Sequence, residues 1–112
     1  MTAADEELQA KIKALQDTYK ANLGTRLDEI DAALDTLRDA GGANGEELHA
    51  LLALVHKLTG SAGTFGLAAV SDVAGDLEAL CSSLIEAGTD VSGDLDRMAV
   101  LATDLRKAAE TD

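Results

Sequence analysis

The strongest constraint on the fold is an apolar stripe of helical period that runs through the first third of the chain. Its members are separated by three or four residues throughout and are Leu8, Ile12, Leu15, Tyr19, Leu23, Leu27, Ile30, Leu34 and Leu37. Residues so spaced share one face of an α-helix, and the pattern predicts a helix over residues 4–39. Gly24 leaves two arrangements open: an extension that overhangs the domain, or a capping helix folded back at Gly24.

A second stripe predicts the next helix. It consists of Leu48, Leu51, Leu52, Val55, Leu58, Ala62 and Phe65. Gly41-Gly42 is expected to end the first helix, and Asn44 followed by Glu47 resembles a capping box. The second helix is therefore expected to begin at about residue 45 and to end at Gly66.

Two more stripes complete the pattern. The third consists of Val70, Val73, Leu77, Leu80 and Leu84, and the fourth of Leu95, Met98, Leu101 and Leu105. Gly88 is expected to end the third helix and Ser92 to cap the fourth. Since short connections make consecutive helices antiparallel neighbours, the sequence predicts one all-α domain over residues 1–112. Its architecture is an antiparallel up-down-up-down four-helix bundle with an N-terminal helical extension or capping helix.

Length and composition narrow the class of protein. A chain of 112 residues without proline suits a single helical domain and has no room for a separate ATP-binding domain. No apolar run approaches the length of about 18 residues that a membrane span needs, and the acidic N-terminus argues against a signal peptide. The single Cys81 cannot form an internal disulfide, so a cytoplasmic location is expected.

Charge is unevenly distributed along the chain. The formal net charge of −12 makes nucleic acid and anionic membrane surfaces poor partners, because phosphates need a basic face. Yet no Asp or Glu occurs from Leu48 to Ser71, where Lys57 is the only fixed charge. This neutral-to-basic segment does not repel an arriving phosphoryl group or an acidic partner.

His56 lies near the middle of that segment. Gly60 and Gly63 follow it at offsets of four and seven residues, on the same helical face. Glycine inside a helix costs roughly 0.5–1 kcal/mol relative to alanine, so a compensating benefit is expected. The simplest benefit is clearance for a second macromolecule to reach His56. Close helix packing is the alternative, and the position of both glycines on the His56 face rather than the leucine face argues against it.

Most chemistries of an exposed imidazole need partners that this sequence lacks. A metal site is disfavoured because His49 lies about 10 Å from His56 along the helix, and neither a metal nor a cofactor is expected. Capture of a phosphoryl group needs only an exposed ring with one nitrogen held in place. Glu78, on the next and antiparallel helix, is the candidate to hold it. The other singled-out residues are interpreted as structural, namely His49, Cys81, Tyr19 and Phe65.

One continuous motif carries a resemblance to a known family. It reads His56-Lys57-Leu58-Thr59-Gly60-Ser61-Ala62-Gly63-Thr64-Phe65-Gly66-Leu67 and is followed by Leu77-Glu78. This pattern resembles the histidine phosphotransfer (HPt) family, and is similar to the phosphotransfer domains of chemotaxis-type histidine kinases. The resemblance implies that His56 is phosphorylated and that Glu78 hydrogen-bonds its ring. Thr59 stands where the family usually has lysine, and Lys57 is the candidate to supply that charge.

The resemblance implies a phosphocarrier rather than an enzyme. The imidazole would exchange a phosphoryl group with the aspartate of a response-regulator receiver domain, with a histidine kinase or hybrid kinase upstream. The receiver would supply Mg²⁺. A monomer is expected, with a docking surface around His56 that is formed by Ala53, Thr59, Gly60, Gly63 and Leu67.

A second hypothesis is an acidic helical adaptor or dimerisation module that is not phosphorylated. The stripe from Leu8 to Leu37 supports it, because an overhanging first helix could pair with a second chain. In that case His56 would be replaceable without loss of partner binding.

Overall fold

The computed structural model describes residues 2–112, which form four α-helices and one short 3-10 turn. The helices are α1 (Ala3–Asp39), α2 (Glu46–Thr64), α3 (Ala68–Ala87) and α4 (Leu95–Thr111), and the turn (Ser92–Asp94) precedes α4. α1 and α3 each pack against both α2 and α4. The short connections reverse the chain each time, and the predicted all-α, up-down-up-down bundle is confirmed. None of these helices is long and apolar enough to cross a membrane.

α1 is one unbroken helix whose N-terminal part extends beyond the bundle. Its 37 residues correspond to about 55 Å at 1.5 Å per residue, in agreement with the 57 Å long axis of the molecule. The apolar stripe is buried from Tyr19 onward, whereas Leu8, Ile12 and Leu15 are 57%, 49% and 57% exposed. Contact with the bundle begins at Gln16, whose amide donates to the carbonyl of Phe65 at 2.8 Å. Residues 3–15, called the overhang below, therefore form an extension and not a capping helix.

Gly24 does not break α1, because packing continues on both sides of it. Leu23 and Leu27 are both buried, and a Cβ added at Gly24 would meet no other atom within 4 Å. Glycine costs a helix about 1 kcal/mol, which is less than the roughly 1.5–3 kcal/mol gained by burying one leucine. The apolar stripe thus carries the helix through this position.

The core is built from the four predicted stripes. Its largest fully buried side chains are Ile30, Leu37, Leu48, Leu51, Val55, Leu58, Val70, Leu77, Cys81, Val91, Met98 and Leu105. Among residues 2–112 no polar or charged residue is buried. Stripe members at the margin, such as Leu52, Val73 and Leu101, are partly buried. Cys81 packs as a core residue, and burial raises the pKa of its thiol to about 11, with the Glu78 carboxylate adding to the effect.

The predicted capping role of Asn44 is wrong. Gly45 precedes the first turn of α2, and no side chain caps that helix. The Asn44 amide instead donates from Nδ2 to the carbonyl oxygens of Leu84, at 2.7 Å, and Thr89, at 2.9 Å. Leu84 lies in the last turn of α3, where its carbonyl also accepts from the N–H of Gly88, and Thr89 follows the end of the helix. The amide therefore ties the α1–α2 loop to the end of α3.

The predicted capping role of Ser92 is also wrong. Ser92 begins the 3-10 turn, its backbone N–H donates to Oδ1 of Asp90 at 2.7 Å, and α4 begins at Leu95 without a side-chain cap. The two loops at this end of the bundle also meet. The N–H of Val91 donates to the carbonyl of Gly42, and a Cβ on Gly42 would lie only 2.7 Å from the Ser92 nitrogen. Close approach therefore requires glycine at this position.

Replacing Asn44 with alanine is expected to lower the free energy of unfolding by about 1–3 kcal/mol, because both hydrogen bonds from the α1–α2 loop to Leu84 and Thr89 are lost. Urea denaturation measures the change. Asn22→Ala is the matched control, since Asn22 donates only to Thr18 on the exposed side of α1, and its cost should stay within about 0.5 kcal/mol. Equal losses in the two variants would contradict a tie between the loop and α3.

Candidate functional site

His56 occupies the solvent-facing side of α2. Its side chain is 73% exposed. Ala53 and Gly60, about one turn before and after it, are also exposed. Neither of these residues carries a side chain larger than a methyl group. The imidazole is therefore open to approach by another macromolecule.

Glu78 reaches His56 from α3. Its Oε2 lies 2.7 Å from Nδ1 of the ring, and its side chain is 25% exposed. The contact follows from the antiparallel register of α2 and α3, which also places Gly63 beside Ser71. The structure thus brings together the two residues that the sequence suggested as a pair.

This contact determines which ring nitrogen is available. An ionised carboxylate has no proton to donate, so Nδ1–H is the donor and Glu78 is the acceptor. In the neutral ring, Nε2 then carries the lone pair. Because most of the side chain is exposed, the Nε2 lone pair of His56 is open to solvent.

Thr59 is folded back onto its own helix. Its hydroxyl donates to the carbonyl oxygen of Val55 at 3.0 Å, and its Cγ2 lies 3.9 Å from the position of a Cβ built on Gly75. Thr59 is half-buried where α2 meets α3 and supplies no charge. It borders the exposed surface at His56 without forming its centre.

Lys57 lies on the opposite side of His56 from Glu78. It lines a narrow crevice between α1 and α2 together with Arg26 and Glu29. Neighbouring residues in a helix are about 100° apart around its axis, which separates Lys57 from the α3 side. The candidate cation is therefore next to His56 along the chain but belongs to the edge of α2 that faces α1.

Gly60 and Gly63 have different surroundings despite their shared helical face. A Cβ on Gly60 would meet no atom within 4 Å, whereas a Cβ on Gly63 would lie 3.2 Å from Oγ of Ser71. That hydroxyl is held in place, because it donates to the carbonyl of Thr59 at 3.0 Å. Gly60 leaves open space beside His56. The close-packing explanation, disfavoured from the sequence, accounts for Gly63, which lets Ser71 of α3 approach.

Leu67 does not belong to the docking surface, contrary to the expectation. It is only 4% exposed. Its N–H donates to the carbonyl of Ala62 at 2.8 Å, and the N–H of Gly66 donates to that of Gly63. These two bonds form a Schellman motif, in which the residue after the glycine commonly makes an apolar contact with the helix. The motif turns Leu67 into the core.

Two residues of α1, Tyr19 and Arg26, pack beside the part of α2 that carries Lys57, a contact that was not predicted from the sequence. The Tyr19 hydroxyl lies 2.7 Å from Oγ of Ser61, which itself donates to the carbonyl of Lys57. The Tyr19 ring stacks on Phe65, and the guanidinium of Arg26 lies 5.1 Å from its centroid. The signal in the sequence is the seven-residue spacing of Tyr19 and Arg26, which places both on one helical face.

The other histidine lies apart from this site. Nδ1 of His49 is 2.9 Å from the carbonyl oxygen of Gly45, within the first turn of α2. Across residues 2–112, no group of three or more His, Cys, Asp or Glu side chains is arranged to hold a metal ion.

The different surroundings of the two glycines predict different effects of alanine. Gly60→Ala is expected to raise the free energy of unfolding by about 0.5–1 kcal/mol, because the helix gains propensity and nothing is displaced. Gly63→Ala should raise the free energy of unfolding by less, since the Ser71 side chain has to move to make room for the added methyl group. Urea denaturation of the two variants beside the wild type gives the comparison. A gain at Gly63 equal to that at Gly60 would show that α3 does not constrain this position.

A comparison with known proteins identifies the family. The family model described as Hpt domain matches residues 6–111, a range that includes His56, Glu78 and almost all of the four helices. No curated protein and no solved structure gives a significant match. Since the matched range covers nearly the whole chain, this protein belongs to the Hpt domain family.

Proposed function

We propose that this protein carries a phosphoryl group on Nε2 of His56 and exchanges it with an aspartate of a response-regulator receiver domain. Membership of the Hpt domain family implies histidine phosphotransfer in phosphorelay signalling. The observation that supports the choice of His56 is its exposed ring, with Nδ1 2.7 Å from the Glu78 carboxylate. The ring nitrogen of His49 contacts only a backbone carbonyl of its own helix.

The reaction needs a nucleophile and a means of holding the charge that develops on it. The Nε2 lone pair attacks the phosphorus of the aspartyl phosphate, an N–P bond forms, and the P–O bond to the aspartate breaks. The aspartate leaves as a carboxylate. Because the proton on Nδ1 stays in place, the phosphorylated ring carries positive charge, which the Glu78 carboxylate stabilises. Transfer to the regulator is the same sequence of steps reversed.

The partner supplies what this chain lacks. Hpt domains are phosphocarrier modules without kinase activity and interact with receiver domains and kinases. The phosphoryl group therefore comes from a histidine kinase, a hybrid kinase or a phosphorylated receiver domain, and the receiver holds the Mg²⁺ that neutralises charge during transfer. The protein would act as a monomer in the cytoplasm, where such kinases present their phosphorylated domains.

The docking surface follows from the exposed residues of α2. Ala53 and Gly60 are small and border His56 directly, so they would lie at the centre of the contact. Gly63 and Thr59 lie at the seam with α3 and would form its margin. An interface centred on one helix face is small, as is usual for complexes that form and dissociate quickly. The Glu78 contact is also what similarity to chemotaxis-type phosphotransfer domains implies.

One observation favours a second candidate function, that of a dimerisation or adaptor module. Leu8, Ile12 and Leu15 are about half exposed on the overhang, where they form an apolar stripe with helical spacing. Such a stripe is suited to pairing with another helix. This role would not require His56.

Incubation with a phosphorylated receiver domain, or with a histidine kinase and ATP, is expected to place an acid-labile, base-stable phosphate on the wild-type protein. His56→Gln should remove the label completely, because the ring of His49, the other histidine, lies against a backbone carbonyl and not against a carboxylate. His49→Gln, the matched control, should label like the wild type. Radiolabel retained after alkaline treatment gives the readout.

Two outcomes would contradict the proposal. Label that persists in His56→Gln would place the phosphoryl group elsewhere. A folded wild-type protein that stays unlabelled with a panel of donors would leave the dimerisation module as the better account.

A further inference from the structure

The charge around His56 differs from that of the rest of the molecule. The chain carries a net charge of −12, but α2 has no acidic residue from Leu48 to its end. On the side of α2 that faces α1, Lys57 and Arg26 line the same crevice. These two residues, called the cationic edge below, place positive charge on the side of α2 that faces α1, next to His56 along the chain.

The charges of the cationic edge are not neutralised by ion pairs. Within residues 2–112, neither Lys57 nor Arg26 has a carboxylate oxygen within 4.0 Å. By contrast, Arg106 of α4 forms ion pairs with both Asp28 and Asp31 of α1. The cations next to His56 are therefore free to act on an approaching molecule.

The fold holds the cationic edge in place. The Arg26 guanidinium lies 5.1 Å from the centroid of the Tyr19 ring, a distance at which a cation is attracted to the aromatic face. The Tyr19 hydroxyl contacts Ser61, and Ser61 donates to the carbonyl of Lys57. One connected set of contacts thus positions Arg26 of α1 beside the α2 segment that carries Lys57.

The expected partner has the opposite charge. A site that binds Mg²⁺ next to a phosphorylated aspartate is built from carboxylates, because Mg²⁺ prefers oxygen ligands of that kind. The phosphoryl group adds further negative charge. A protein of net charge −12 repels such a surface at long range unless the local field at the docking site is positive.

We propose, building on the function proposed above, that Arg26 and Lys57 attract the acidic phosphorylation site of a receiver domain and raise the rate at which it meets His56. The cationic edge acts on encounter and not on the chemical step. Glu29 lies at the same crevice and opposes the two cations. The field that a partner meets at His56 is therefore set by these three side chains together with the Glu78 carboxylate on the α3 side.

The test compares two double variants with equal net charge. Arg26→Gln with Lys57→Gln removes the cationic edge, and Lys11→Gln with Lys107→Gln removes two exposed cations from the overhang and from α4. The second-order rate of phosphoryl transfer from a phosphorylated receiver domain is measured at low and at high salt. At low salt the edge variant should be about tenfold slower than the control variant. At about 1 M salt, where the Debye length is about 3 Å, the difference should disappear.

Further variants separate charge from structure. Arg26→Lys with Lys57→Arg keeps both charges and should transfer at close to the wild-type rate, even if stacking on Tyr19 changes. Glu29→Gln removes the opposing carboxylate and should transfer faster than the wild type at low salt. Circular dichroism establishes that each variant is folded.

Several results would overturn the inference. Equal rates in the two double variants would show that only net charge matters, and a loss that persists at high salt would show that the residues act after encounter. A wild-type protein that accepts no phosphoryl group would reject the proposed function itself, and the inference with it. If the wild-type protein is labelled but the two double variants transfer the phosphoryl group at equal rates, only the inference about the cationic edge is rejected.

Discussion

The hydrogen bond between His56 and Glu78 is the contact on which the functional arrangement depends. It joins α2 to α3, and its 2.7 Å length requires that the two helices keep one register. That register is set by packing below the surface, where Val55 and Leu77 are almost completely buried. A shift of α3 by one residue would turn Glu78 about 100° away from the ring. The apolar core therefore controls which nitrogen of an exposed histidine is available for chemistry.

Small residues allow α2 and α3 to pack closely and also leave open space around His56. Gly63 lets Ser71 approach α2, and Gly75 lies against Thr59, so both α2 and α3 contribute glycine to their seam. Gly60 has no neighbour to accommodate, and its lack of a side chain leaves space beside His56. Two glycines three residues apart thus serve different purposes, Gly63 beside α3 and Gly60 toward solvent. Chain flexibility is not the reason for either.

The helices could be predicted from the sequence because each apolar stripe has one helical period, and burial of leucine outweighs the cost of Gly24. The hydrogen-bond partners of polar residues at the helix ends were harder to predict, since Asn44 can bond either to its own helix or across the bundle. The His56–Glu78 pair was accessible because an antiparallel neighbour restricts which residues can meet. The direction of the Lys57 side chain and the burial of Leu67 could not be predicted. Both depend on the relative positions of helices, which the sequence does not specify.

In the proposed function, Glu78 keeps the proton on Nδ1 of His56 and leaves Nε2 as the nucleophile. Long-range proton–nitrogen NMR correlation of the ¹⁵N-labelled ring measures this directly. With the ring neutral, Nδ1 should be protonated and Nε2 unprotonated, and this preference should weaken in Glu78→Ala. After transfer, phosphorus coupling should appear at Nε2. A proton on Nε2 in the wild type, or a phosphoryl group on Nδ1, would contradict this role of Glu78.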